Sequence, residues 1–153
     1  MGQEALMKEK DFQRDFNKKN KIYGVFELKL CKGTSISFSA VTKHQRKCLY
    51  LSTTKRGFGY KIPDPPVFKK QKTRFNKKRP YDCFKIRNMP AYVVIMFWIP
   101  RKKKNVYYIP IMDFFKLYVN TRKIRKSMTE DMVKNSAKYS FNYFKKGVSN
   151  VKG

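Results

Sequence analysis

Ile22-Tyr23-Gly24-Val25-Phe26-Glu27-Leu28-Lys29-Leu30 is an apolar run broken by one acid and one base, and its reading decides the fold. Alternation here predicts a β-strand, and the two-residue period of a strand puts Glu27 and Lys29 on the same face. A carboxylate and an ammonium side by side at the end of a hydrophobic strand are costly to keep half-buried unless they pair or are put to use. The surroundings single out the acid further. Residues 16–63 hold eleven lysines and arginines and one acidic residue, Glu27.

Downstream of this strand, Gly33-Thr34-Ser35 is read as a turn and Ser39 as the cap of a helix over about residues 40–52, with Val41, His44 or Gln45, Cys48 and Leu49 near one face. A strand followed by a helix is therefore the local setting of Glu27. Upstream, Leu6, Phe12 and Phe16 recur among charges that include Glu4, Glu9, Asp11 and Asp15, which predicts a short amphipathic helix over residues 3–18. Residues 57–62 read as a short strand stopped by Pro63-Asp64-Pro65-Pro66, since proline cannot donate to a ladder.

Residues 81–86 and 91–98 read as two further strands joined by Arg87-Asn88-Met89-Pro90. The second is almost wholly apolar, as a central strand covered on both faces must be. Another strand over residues 106–109 leads into a short helix over residues 112–119, and Ser127 or Thr129 caps a last helix containing Asp131, Val133 and Ala137. Residues 139–146 interleave aromatics with charge, and either extend that helix against the core or present stacking groups. The expected product is an α/β domain, a mixed sheet between helices.

The 153 residues suit one domain, able to bury roughly 68% of its unfolded surface. That domain is assigned to residues 1–146, with residues 147–153 read as a fraying tail. Formal charge is +27, from 37 basic and 10 acidic residues, yet 41% of the chain is hydrophobic and 16% aromatic, too much apolar material for a disordered basic tail. A folded domain that binds a polyanion follows. The cations are spread along the chain rather than gathered on one amphipathic helix, and the longest apolar run, residues 91–100, is too short to span a bilayer, so nucleic acid is favoured over membrane. Cys31, Cys48 and Cys83 are odd in number, lack Cys-x-x-Cys spacing and have one histidine for company, so neither a disulfide framework nor a zinc site is indicated and an intracellular, reduced protein is expected.

Three basic runs carry the polyanion argument. Lys69, Lys70, Lys72, Arg74, Lys77, Lys78 and Arg79 lie in a loop over residues 66–80; Arg101, Lys102, Lys103 and Lys104 form a second run, and Arg122, Lys123, Arg125 and Lys126 a third. All three suit phosphates rather than particular bases. A solvated basic surface is the other reading.

Phe26-Glu27-Leu28-Lys29, Ser35-Ile36-Ser37-Phe38, His44-Gln45, the apolar strand and Tyr107-Tyr108-Ile109-Pro110 together resemble the PD-(D/E)xK nuclease superfamily, and within it the Holliday-junction-resolvase-like branch of bacteria and phages, over about residues 9–115. The resemblance implies a restriction-endonuclease-like mixed sheet of four to six strands flanked by helices, commonly in a homodimer. It also implies an endonuclease of recombination and repair that hydrolyses phosphodiester bonds in branched or four-way-junction DNA with Mg²⁺ or Mn²⁺. Such an enzyme works in the cytoplasm or nucleoid, or in the host cytoplasm if phage-encoded.

On this pattern Glu27 is a metal ligand and Lys29 orients or helps deprotonate the attacking water, while Gln45 positions phosphate or water and His44 lies beside the nucleic acid. The pattern's acid on the preceding strand is missing, because residues 17–25 contain none. Asp82, an isolated acid in an aromatic segment, is the expected substitute, and Glu9 resembles the helical acid that completes such centres. Ordinary readings stand beside these: a surface or interstrand salt bridge for Glu27, one solvated lysine among many for Lys29, and a turn or strand-start residue for Asp82; Asp11 and Asp15 are read as helix-surface charges. For the whole chain the alternative is a non-catalytic nucleic-acid-binding protein, either a degenerate nuclease or a ribonucleoprotein component.

Overall fold

The computed structural model describes residues 7–61, 83–101 and 104–142. Asp82, Lys102, Lys103, the whole basic loop 66–80 with its seven cations, and the tail 147–153 lie outside the described residues.

Helix α1 (Glu9–Lys19) places acids in its first turn and lysines in its last, as the helix dipole favours. Phe12 and Phe16, one turn apart, form its buried stripe. Asn20 ends it: its Oδ1 accepts from the Ile22 N–H and from the Tyr108 hydroxyl, each at 3.0 Å.

The main sheet has four strands, in the order β1 (Val25–Cys31), β5 (Ala91–Phe97), β6 (Asn105–Pro110) and β8 (Tyr139–Asn142). β1 runs parallel to β5, with Glu27 opposite Val93 and Lys29 opposite Ile95, and the remaining pairs are antiparallel. The sheet is therefore mixed, as expected. All seven residues of β5 are buried, because both of its faces are covered. On one face Tyr92, Val94, Met96, Val106 and Tyr108 meet Phe12 and Phe16 of α1. On the other Val93, Ile95, Phe97, Tyr107 and Ile109 are covered by α2 (Lys43–Thr53), α3 (Ile111–Thr121) and α4 (Glu130–Ser136), through Leu49, Phe114 and Val133. Two small antiparallel pairs flank this core: β2 (Ser35–Ser37) with β7 (Ser127–Thr129), and β3 (Phe58–Lys61) with β4 (Cys83–Ile86). Among the described residues no helix is long and apolar enough to cross a membrane.

Two expectations are corrected. Ser39 does not cap α2. It lies in a single 3₁₀ turn, Phe38–Ala40, and Thr42 caps the helix through a reciprocal box in which Thr42 Oγ1 accepts from the Gln45 N–H at 3.2 Å and Gln45 Oε1 accepts from the Thr42 N–H at 2.9 Å. Residues 139–142 do not extend the last helix. They form β8, whose Tyr139 and Phe141 pack on the α1 side of the sheet and cover the edge that β6 would otherwise expose.

Candidate active site and basic surface

Among the described residues β1 is an edge strand, its backbone pairing with β5 on one side only. Its even-numbered residues Phe26, Leu28 and Leu30 point to the α1 face, which leaves Glu27 and Lys29 on the face that α2 covers. The two side chains pair, Lys29 Nζ to Glu27 Oε1 at 3.0 Å, and remain 16% and 26% exposed respectively. Gln45 Nε2 donates to the same oxygen at 2.7 Å. The Gln45 amide is thus held at both ends, by the Thr42 cap through Oε1 and by Glu27 through Nε2. Among the described residues, the contacts of Lys29 and Gln45 to Glu27 both fall on Oε1.

Cys48, one turn along α2 from His44, lies close enough to feel Glu27. Burial pushes its thiol up, Lys47 opposes this, and the Glu27 charge adds to the rise. His44 is exposed, with Nε2 3.5 Å from Cys48 Sγ, whereas Gln45 faces Glu27. The sequence pairing of His44 with Gln45 therefore resolves into two different surroundings.

A groove of about 460 Å³ runs between α1 and the open edge of β1, and Glu9, Gln13, Asn17 and Glu27 are among its lining residues. Glu9 and Glu27 both border this space, Glu9 from α1 and Glu27 from a strand on which its side chain points to the α2 face. Among the described residues no group of three or more His, Cys, Asp or Glu side chains converges. Asp11 and Asp15 are helix-surface charges, as read from the sequence, lying 3.3 and 3.9 Å from the Arg14 guanidinium.

The basic surface is distributed unevenly. Arg101 is exposed and holds φ at +61°, the left-handed region that a non-glycine residue adopts only in a tight turn. Lys104, expected as a phosphate contact, is 6% exposed, with Nζ 4.4 Å from the centre of the Trp98 ring, where the aromatic face beside its stem attracts the ammonium. Arg122, Lys123, Arg125 and Lys126 are all exposed at the end of α3 and beyond it.

Arg46 and Tyr118 join this third run and were not singled out by the sequence. The Arg46 guanidinium lies 4.6 Å from the Tyr118 ring centre and that of Arg122 5.6 Å from it. Glu130 was also passed over; it accepts from Asn105 Nδ2 at 3.0 Å and from the Tyr107 hydroxyl at 2.8 Å, tying α4 to β6. Compared with known proteins, the chain matches no family model, no curated protein and no solved structure.

Proposed function

We propose that the chain is a divalent-cation-dependent nuclease centred on Glu27 and Lys29, acting on structured DNA. The observation that carries this reading is the carboxylate of Glu27, held through one oxygen by Lys29 and Gln45 at the open edge of the sheet. A carboxylate fixed by two donors on Oε1 keeps Oε2 as the oxygen able to reach a hard cation. Glu9 borders the same groove, and Mg²⁺ commonly uses one or two carboxylates, its remaining positions going to water and substrate phosphate. On this reading Glu27 and Glu9 would hold the ion, with Asp82 as the further ligand suggested by sequence. When bound, a divalent cation offsets charge developing on phosphate and makes its water more acidic.

The chain's own residues do the rest. Lys29 places a positive charge beside Glu27, where it orients a water or meets a phosphate oxygen. Gln45, locked by the helix cap, fixes the carboxylate's rotation so that it needs no reorganisation when substrate arrives. The strand-helix-strand path from β1 through α2 to β5, with β6 antiparallel beyond it, supports assignment to the restriction-endonuclease-like class. Branched substrates and a homodimer follow from the resemblance to junction resolvases.

A non-catalytic nucleic-acid-binding protein is the second reading, favoured by the lack of a third converging ligand among the described residues. Cleavage of labelled four-way-junction, flap, duplex and single-stranded DNA, with and without Mg²⁺ or Mn²⁺, separates the two. The nuclease reading expects cation-dependent cutting that falls about a hundredfold or more in Glu27→Gln, with DNA binding retained. Binding without cutting on every substrate sinks it and selects the second reading.

A further inference from the structure

The residues around Tyr118 form a concavity of about 530 Å³, within the size range of small-ligand sites. Three separate parts of the chain build it: Arg46 from α2, Tyr118 and Arg122 from the end of α3, and the Ser37–Ser39 turn against Lys126. It is a fixed arrangement rather than a spray of lysines. β2 pairs with β7, and the Lys126 carbonyl accepts from the Phe38 N–H at 3.1 Å, which anchors the basic segment to the serine turn. The two serine hydroxyls lie 2.7 Å apart, one of them also accepting from the Ser39 N–H.

Two guanidiniums gathered on one ring repel each other, and among the described residues lining this space none is acidic. Lys123 adds a fourth cation to those of Arg46, Arg122 and Lys126. The Arg46 and Arg122 guanidiniums beside it hold the Tyr118 hydroxyl below the usual phenol value. Such a cluster is satisfied by an anion carrying more than one charge, with several acceptor oxygens for the forked guanidinium donors. A phosphodiester carries one negative charge, whereas a phosphomonoester carries about −1.5 to −2 at pH 7.

We propose that this concavity is a phosphomonoester site, sized for a nucleotide and distinct from the Glu27–Lys29 centre. The shared ligand chemistry is a terminal phosphate on a nucleoside, supplied either by the end of a nucleic-acid strand or by a free nucleotide. In the first case the proposal rests on the nucleic-acid reading above and deepens it. Gln45 and Arg46 are consecutive residues of α2, with Cα atoms about 3.8 Å apart, one contacting Glu27 and the other Tyr118. A strand end held at Arg46 therefore lies on the element that also positions the candidate cleavage centre.

The test compares the affinity of the full chain for one short oligonucleotide with a 5′-phosphate, with a 3′-phosphate, or with neither, and measures melting temperature with and without deoxyadenosine monophosphate. The wild type is expected to favour one phosphorylated end by about tenfold, and that ratio is expected to collapse toward one in Arg46→Gln. Lys126→Gln, at an exposed side chain, keeps the test decisive if Arg46→Gln fails to fold, and is expected to lower the same ratio. Equal affinity for all three oligonucleotides with no melting shift from the nucleotide overturns the proposal, as does an end preference that survives both substitutions. If no oligonucleotide binds but the nucleotide raises the melting temperature in an Arg46-dependent way, the site stands with a free nucleotide as its ligand and the nucleic-acid reading falls.

Discussion

Gly24 enters β1 with φ at +154°, and a Cβ built on it would stand 2.6 Å from the Pro90 carbonyl oxygen. That oxygen accepts from the Val25 N–H at 2.8 Å, so the clash falls on the bond that opens the β1–β5 ladder. Gly24→Ala is expected to destabilise the fold by about 2 kcal/mol, read as a lower urea midpoint with an unchanged slope. The damage should extend to the cleavage assay, because Glu27 stands three residues further along the same strand. Glu27 and Lys29 themselves were legible from sequence, since strand period alone puts them on one face, and their ion pair at 3.0 Å follows from that placement. Arg46 was not legible. One cation among 37 carries no mark of the ring it will cover.

At the scale of the element, α2 joins stability to the candidate chemistry. Thr42 caps it, and Gln45 returns the cap while donating to Glu27. Loss of the cap in Thr42→Ala is expected to cost about 1 kcal/mol, and Gln45→Ala a similar amount. Because each side chain serves the other's backbone, the double variant should cost less than the sum, by about 0.5 kcal/mol or more. Additive losses in chemical denaturation would contradict the reciprocal box. Gln45→Ala should also reduce any cation-dependent cleavage while Thr42→Ala largely spares it, since Gln45 alone of the two touches Glu27. The Thr-x-x-Gln spacing was present in the sequence, but Ser39 offered a rival cap three residues earlier. Burial of Phe38 and Val41 decided between them by fixing residues 38–40 in a 3₁₀ turn. β8 was missed for a related reason: its aromatics were legible as core, yet the free edge of β6 that makes them a strand exists only once the sheet is assembled.

Across the whole molecule, a charge of +27 on 153 residues should make binding to nucleic acid steeply salt-dependent. The slope of log affinity against log salt is expected to be about −0.9 for each phosphate engaged on duplex DNA, and an affinity nearly unchanged between low and physiological salt would contradict this. The core carries a second whole-molecule signature. Burial raises the phenols of Tyr108, Tyr107 and Tyr92, and for Tyr107 the hydrogen bond to Glu130 adds to the rise. Above about pH 10 the unfolded chain releases these protons before the native one does, so stability present in full below that value is lost as pH rises. Tyr118 works in the opposite sense at the surface. Urea midpoints measured from about pH 8 to about pH 11 should fall, and Tyr107→Phe should flatten the fall while costing about 1 kcal/mol at neutral pH. The sequence by itself determined the α/β class, the apolar central strand, the shared face of Glu27 and Lys29 and the strongly cationic charge of the chain, because period and charge are properties of neighbours along the chain. Only the tertiary structure decided that β1 stands at the sheet edge, that Gln45 fastens Glu27, that Lys104 turns inward to Trp98 and that Arg46 and Arg122 share one tyrosine. Each of those depends on a contact that neither strand period nor charge specifies, and such contacts are fixed by which faces are left to bury once the strands have paired.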